Sequence, residues 1–359
     1  MSRARVCFLA WAPTAGRARD LAHDLGGDAL TIYPASLSSR RLTPARYAVS
    51  ALVTLGGLTS RRPRSVVVQN PPVYPALIAL AYARLTRGRM VLDNHPTSFG
   101  VKDNAQARRM LAVTRWLVRS VDGVLVTTED WADVVRSWGG RPLVLHEAPP
   151  VWSVSAPRRL DGRPPRVLFS CVYASDEPVE AVIAAARALP ELEIVITGDE
   201  RKAPPGLLDE LPPNVVTTGW LDQAAYAAEI ERCDIVLALT TEPSSVMRAA
   251  YEAGYAARVL VMSDTEAMAR LFPEAVRVGI DSAGIAAGLR RAVEEHDRLL
   301  TTLAEVRERQ HRRWDLQRAD LLELLGLGPT PHDLPTRSSA DDVVIAMGAT
   351  ATSEPKVAL

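Results

Sequence analysis

The sequence predicts an α/β protein made of two Rossmann-like, doubly wound parallel-sheet domains in tandem. Apolar runs of four to six residues alternate with longer helix-period stretches, as in a parallel sheet covered on both faces. The alternation stops at a Pro- and Arg-rich segment, residues 148–165, and then restarts. The chain of 359 residues is also too long for one ordinary core. The expected organisation is a first domain over 1–150, a linker over 151–165, a second domain over 166–327 and a tail over 328–359. The tail has no sustained period and is expected to be mostly disordered.

In the first domain the β-branched and leucine-rich runs place strands at Val6–Leu9, Ala29–Ile32, Ser65–Gln69, Met90–Asp93, Gly123–Thr127 and Leu143–His146. Helices fill the gaps at Arg17–Leu25, Pro75–Leu85, Asn104–Ser120 and Glu129–Trp138. Pro71 and Pro72 set the entry to the apolar helix at Pro75, which is read as buried against the sheet in preference to lying on a membrane. In the second domain the order is strand Arg166–Ser170, helix Pro178–Ala188, strands Glu193–Thr197 and Val215–Thr218, helix Gln223–Cys233 and strand Ile235–Leu239. A polar loop, a helix carrying Glu252 and a further strand before Asp264 come next. A long, interrupted polar helix from Asp281 through Leu325 closes the fold, with Trp314 as its packing anchor.

The net charge is zero but unevenly placed: up to Pro150 there are 20 Lys/Arg against 10 Asp/Glu, so the first part is +10 and the remainder −10. Arginines at 40, 41, 46, 61, 62, 64, 84, 87, 89, 108, 109, 115 and 119 interleave with apolar runs. That mixture suits an anionic membrane surface or a phosphorylated acceptor, or else a plain solvated basic face. Aromatic residues are few and no recognition motif appears, so nucleic acid is not an expected partner. No stretch is long and apolar enough to span a bilayer, and the N-terminus MSRARVCFLAWAP reads as a first strand. Cys7, Cys171 and Cys233 form no disulfide framework or metal motif, so a reducing cytoplasm is the expected compartment.

Three loops carry the chemistry. After strand Ile235–Leu239, the run Thr240, Thr241, Glu242, Pro243, Ser244, Ser245 is rich in hydroxyls and helix-capping residues and is expected to aim backbone N–H groups at an anion. Glu252 then falls about two turns into the helix, roughly 10 Å from its start, a reach from a phosphate to the hydroxyls of a nucleoside ribose. The same pattern also occurs in α/β units that bind nothing. After the fourth strand, Asp93, Asn94, His95, Pro96, Thr97, Ser98, Phe99 and Gly100 hold a histidine that can exchange a proton near neutral pH and an acid to orient it or act as a base. The alternative is a shaped turn. After the first strand, Trp11–Arg17 contains one glycine, so the GxGxxG fingerprint is absent and NAD chemistry is not expected. Gly16 there allows close approach of backbone to a ligand.

The two-domain plan, the His95 loop, VLVTTEDWADVV (124–135) and the EAGYAA run beginning at Glu252 resemble the GT-B glycosyltransferases, family 4 in particular. VVVQNPPVYPALIA (66–79), VLDNHPTSFG (91–100), LVLHEAPPVW (143–152) and residues 170–188 are similar to the β-mannosyltransferase group that extends chitobiosyl-diphosphodolichol. The resemblance covers most of the chain up to about residue 320. It implies a GT-B fold, with a nucleotide diphosphate sugar such as GDP-mannose in the second domain and a glycan or lipid-linked acceptor in the first. By that resemblance Glu252 meets the ribose, Thr241, Ser244 and Ser245 lie near the diphosphate, and His95 faces the cleft.

Asp93 and Asp20 are the other candidates for taking the acceptor proton, and Gly16 and Arg17 sit where such folds meet acceptor or phosphates. Family 4 enzymes carry a second acid eight positions before the ribose acid; here the candidate catalytic acid is Glu242, ten before Glu252, a departure from that register. The usual Gly-x-Pro after the helix is Ala257, Arg258, Val259. The diphosphate-cradling cations have no counterpart in Ser170–Asp176, a charge Arg248 is placed to supply. No DxD-like motif stands at a strand end, so no metal or cofactor beyond the donor substrate is expected. The implied role is a cytoplasmic hexosyltransferase of polysaccharide biosynthesis, in peripheral contact with the inner face of the membrane through its basic domain. A non-hydrolysing sugar-nucleotide epimerase and an inactive sugar-nucleotide-binding scaffold are the alternatives.

Overall fold

A computed structural model describes residues 5–13, 15–100, 105–153, 155, 159–328 and 343–345. The chain divides into two compact units, Met1–Ala148 with Arg318–Leu359, and Pro149–Gln317.

The first unit runs β1 (Val6–Ala10), α1 (Gly16–Asp24), β2 (Asp28–Ile32), α2 (Thr43–Arg61), β3 (Ser65–Asn70), α3 (Val73–Thr86), β4 (Arg89–Asn94), α4 (Ala105–Ser120), β5 (Gly123–Val126), α5 (Glu129–Ser137) and β6 (Pro142–Val144). The second runs β7 (Arg166–Ser170), α6 (Val179–Arg187), β8 (Glu193–Thr197), β9 (Val215–Thr217), α7 (Gln223–Arg232), β10 (Ile235–Ala238), α8 (Arg248–Tyr255), β11 (Val259–Ser263), α9 (Glu266–Leu271), β12 (Val276–Val278) and α10 (Ser282–Glu294). Helix α11 (His296–Leu324) begins in the second unit and ends in the first. A short strand, β13 (Val343–Ile345), completes the described residues.

Both sheets are parallel throughout. The order in the first is β13-β2-β1-β3-β4-β5-β6, and in the second β12-β11-β10-β7-β8-β9. The chain steps from β1 to β2 and then reverses across β1 to β3; in the second sheet it runs β7, β8, β9 and then returns to the other side of β7 with β10. Each reversal leaves a crevice at the carboxyl ends of the strands, between β1 and β3 and between β7 and β10, where ligands enter open α/β sheets.

The central strands are apolar on both faces because helices cover both. Val6–Ala10 and Val259–Ser263 are buried along their whole length. Burial of each such Val, Leu or Phe contributes about 1.5–3 kcal/mol. Helix α3 buries Val73, Ala76, Ala79, Leu80 and Ala83, as expected of a helix on a sheet, and leaves Leu85 86% exposed at its end. All three cysteines are buried thiols, and desolvation pushes each up to about 12. No helix among the described residues is long and apolar enough to cross a membrane.

Several elements differ from the sequence expectation. Helix α2 was not foreseen: its buried positions are Ser50, Thr54 and Leu58, a stripe too polar to show as an apolar period. Trp11 Nε1 donates to Thr54 Oγ1 at 2.9 Å, and Thr54 Oγ1 donates to the Ser50 carbonyl at 2.8 Å, so the buried Thr54 hydroxyl is satisfied internally. The short α9 and β12 were likewise missed. The closing helix is broken between α10 and α11 as expected, and Trp314 is 3% exposed. In the tail, Val343–Ile345 form a strand that pairs with β2, Val343 beside Leu30. The other tail residues, Asn104 and part of the linker lie outside the described residues. Where the linker is described, Arg163 is fastened to the buried Asp234 by two hydrogen bonds of 2.8 and 2.7 Å.

Arg62 and Arg87, the residues that close α2 and α3, hold left-handed backbone with φ of 48° and 55°. Glycine is the usual residue there, and a side chain in that conformation costs about 1–2 kcal/mol.

Candidate functional site

In the second unit the loops after β7 and β10 meet beside the crevice. Thr240 Oγ1 donates to Asp176 Oδ2 at 3.0 Å, and the Thr241 amide donates to the Asp176 carbonyl at 2.7 Å. Ser263, ending β11, braces the same loop: its Oγ accepts from the Thr240 amide at 2.8 Å and donates to the Thr240 carbonyl at 2.9 Å. Across the crevice, Glu177 Oε2 accepts from the amides of Val172 and Ala174 at 2.8 and 2.9 Å. Burial raises the Glu177 pKa while those amides pull against the rise. Gly198, with φ 143°, leaves no room for a Cβ, which would stand 2.6 Å from the Cys171 carbonyl oxygen.

This geometry corrects the expected hydroxyl-capped helix. The helix starts at Arg248 with Met247 as N-cap, and no side chain caps it. The amides of Thr241, Glu242 and Ser245 turn inward, to the Asp176 carbonyl, Thr240 Oγ1 and the Glu242 carbonyl. Glu252 is therefore one turn from the helix start, about 6 Å, and not two.

Glu252 is 6% exposed and firmly held. Arg248 Nε donates to its Oε1 at 2.8 Å, and the Tyr226 hydroxyl, from α7, donates to its Oε2 at 2.6 Å. Desolvation first, and the Glu252 charge second, raise the Tyr226 pKa well above its ordinary value, so the phenol is a donor throughout the working range. A carboxylate has about four acceptor positions, so two remain for a ligand. Arg248, expected as a phosphate cation, is paired to Glu252 across one helical turn. Thr241 is exposed, while Glu242, Ser244 and Ser245 are half-buried on the same loop, and the Glu242 side chain makes no hydrogen bond or ion pair among the described residues. Arg258, standing where the family pattern departs, is buried and donates to the carbonyls of Ile230, Ser155, Ala256 and Glu231, while Ala257 takes φ 50°. Its guanidinium serves the packing of this unit.

In the first unit, Gly16 opens α1 and Arg17 follows it into the core, 7% exposed. Arg17 Nε donates to Asp93 at 3.2 Å, Nη1 to Glu147 Oε1 at 2.7 Å and to the His146 carbonyl at 3.0 Å, and Nη2 to the Leu145 carbonyl at 2.8 Å. Burial opposes its charge, but Asp93 and Glu147 outweigh that and raise its pKa. All three of its nitrogens thus serve protein acceptors, and Asp93, 4% exposed, is committed to Arg17. His95 Nε2 lies 4.0 Å from Asp93 Oδ2 and has no hydrogen-bond partner among the described residues. The histidine's backbone is fixed by its amide donating to the Asn70 carbonyl at 2.9 Å, and its carbonyl accepts from Ser98 Oγ at 2.7 Å. The loop is thus both a shaped turn, closed by Gly100 at φ 102°, and a mount for an imidazole. Asp20 is buried in α1.

The structure thus gathers Gly16, Arg17, Asp93 and His95 at strand ends of the first unit, and Thr241, Glu242, Ser244, Ser245, Arg248 and Glu252 at strand ends of the second. Tyr226, Asp176, Glu177 and Ser263 were not anticipated. Asp176 stood at the edge of a loop already singled out, whereas Tyr226 has no local signal. Among the described residues no three His, Cys, Asp or Glu side chains cluster as metal ligands.

Residues 2–150 match the family model described as a glycosyl transferase 4-like domain, and residues 177–322 match one described as glycosyl transferase-like. No curated protein matches the sequence. Among solved structures, a sucrose-phosphate synthase from Thermosynechococcus elongatus is similar at 15% identity and a TM-score of 0.67, covering 90% of this chain and 99% of that one. The Anabaena protein HepE, in complex with UDP and glucose, gives 14% identity, a TM-score of 0.67 and the same coverage. A glycosyltransferase from Rickettsia africae gives 12% and 0.60, covering 90% of this chain and 98% of that one. With a 4-like domain followed by a second glycosyl transferase-like domain, each built on a doubly wound sheet, the chain is a GT-B glycosyltransferase.

Proposed function

We propose that the second unit holds a nucleoside diphosphate sugar at the β7/β10 crevice, and that the first unit presents a glycan or lipid-linked acceptor hydroxyl to His95. The observation that carries this reading is Glu252, a buried carboxylate oriented by Tyr226 and Arg248 with two acceptor positions to spare for ribose hydroxyls. The loops after β7 and β10, stitched by Asp176 to Thr240 and Thr241, lie where the diphosphate would rest, and Arg248, on the helix that follows the second loop, is the cation assigned to it. In this reading the charge of the leaving diphosphate is stabilised by Arg248, without a bound metal.

His95, whose side chain is 36% exposed, takes the acceptor proton through its imidazole, while Asp93 and Arg17 fix the strand end beneath it. GDP-mannose is the donor suggested by the resemblance to the β-mannosyltransferase group; HepE, in complex with UDP-glucose, supplies the other donor to try. Peripheral contact of the first unit with an anionic membrane at the cytoplasmic face is supported by exposed leucines on α2 and α3, Leu52 at 70% and Leu85 at 86%, beside arginines and without acids on either helix.

The test is donor turnover by the full chain with GDP-mannose and UDP-glucose, alone and with lipid-linked acceptors. Transfer, or slow donor hydrolysis, that disappears in Glu252→Ala through lost donor binding and in His95→Ala with donor binding retained is the expected result. Unchanged turnover in both variants would overturn the assignment.

A further inference from the structure

The opposite end of the first sheet, where β3 and β4 begin, carries a feature that donor and acceptor binding do not use. The two strands are neighbours, Ser65 beside Arg89, and each is entered through an Arg-x-Arg segment: Arg62-Pro63-Arg64 and Arg87-Gly88-Arg89. The register of the sheet therefore sets two identical basic motifs side by side. Together with Thr59 and Thr86 they line an open pocket of about 640 Å³.

Arg89 is committed, its Nη1 donating to the carbonyls of Glu323 and Leu324 at 3.1 and 2.7 Å. The guanidiniums of Arg62, Arg64 and Arg87 enter no hydrogen bond or ion pair among the described residues, and no carboxylate lines the pocket. No Asp or Glu occurs anywhere from residue 29 to 92. Helix dipoles explain one basic residue at each helix end. They do not explain why both αL closing positions, which glycine fills best, hold arginine, nor why a third unpaired arginine, Arg64, joins them around one cavity. Like charges gathered without a counter-ion are unfavourable unless an anion is drawn between them.

We propose that this pocket binds a phosphomonoester or diphosphate group. Guanidiniums match phosphate oxygens in paired, parallel hydrogen bonds, and three unpaired ones suit a ligand of two or three negative charges. The phosphate comes either from a soluble compound or from a lipid headgroup; Leu85, next in the chain to Thr86 of the pocket, is 86% exposed.

The decisive variant is Arg62→Gly with Arg87→Gly, because glycine relieves the left-handed backbone while removing the charge. Calorimetric titration with pyrophosphate tests the soluble source, and flotation with phosphatidic acid in phosphatidylcholine vesicles tests the lipid source. Expected is binding in at least one arm, weakened tenfold or more in the double variant, with a melting temperature equal to or above wild type. Should the double variant fail to fold, Arg64→Ser alone must show the same direction of loss. No binding in either arm, or binding that the variants leave unchanged, overturns the proposal.

Discussion

Replacing Glu252 with Gln is the sharpest probe of the donor site, because it keeps volume and shape while removing charge and one acceptor oxygen. In the wild type, Oε1 is bonded to Arg248 and Oε2 to Tyr226, and the two remaining acceptor positions are those assigned to ribose hydroxyls. A hydrogen bond to a charged acceptor contributes about 1.5–3 kcal/mol, so loss of one ribose bond weakens nucleotide binding by roughly 10- to 150-fold. The assay is titration calorimetry with UDP and GDP, repeated with the analogues lacking the 2′- or 3′-hydroxyl. Wild type should lose the same factor on one of the deoxy analogues, whereas Glu252→Gln should discriminate less than about threefold. Equal ribose-to-deoxyribose ratios in both proteins would refute the role given to Glu252, and a retained melting temperature guards against misfolding.

Tyr226→Phe should weaken nucleotide binding less than Glu252→Gln does, by about tenfold or under, since Arg248 still holds the carboxylate; an effect larger than Glu252→Gln would mean that Tyr226 meets the ligand itself. Arg17→Ala leaves the buried Asp93 carboxylate without its guanidinium and takes one partner from the half-buried Glu147, and should cost about 3–5 kcal/mol in urea unfolding, with Arg17→Lys recovering part; a loss under about 1 kcal/mol would contradict the packing role. His296 is 2% exposed, and burial lowers its pKa from 6.5 while the nearby Asp234 opposes the shift. Below pH 6.5 the unfolded chain therefore binds the proton more readily than the folded one, and the stability present above 6.5 is lost as pH falls through the folded value. Urea midpoints between pH 7.5 and pH 5 should fall less steeply in His296→Gln than in wild type.

The strands were legible because a sheet covered on both faces needs unbroken apolar runs, and Val66–Val68 or Ile235–Leu239 admit little else. Helix α2 was not, since its inner stripe includes Ser50 and Thr54, the latter held by Trp11 and by a carbonyl of its own helix, an arrangement without an apolar period. The Thr240–Ser245 loop resembled a cap because capping residues are also the residues that stitch loops. Their groups bond instead to Asp176, which lies 64 positions earlier. Arg17 looked like a ligand-binding residue beside Gly16 for the same reason. Its partners Asp93 and Glu147 are 76 and 130 positions away, and no local pattern reports them. Glu252 was singled out from its place after a strand and loop, while the Tyr226 contact to it, from 26 positions earlier on another helix, depends wholly on the fold.

From residue 29 to 92 the sequence contains nine arginines and no carboxylate, imidazole, thiol or amine side chain. Nothing of those types is present there to gain or lose a proton across the neutral range, so the electrostatic surface of this part of the first unit is constant where other surfaces titrate. None of the residues lining the twin Arg-x-Arg pocket carries such a group either, so a step in binding across the neutral range is assigned to the ligand. A phosphomonoester, whose second ionisation lies near pH 6, would bind more tightly as it acquires its second charge, and a phosphodiester would show no such step. The titration curve of binding would thus read out the chemistry of the ligand before its identity is known.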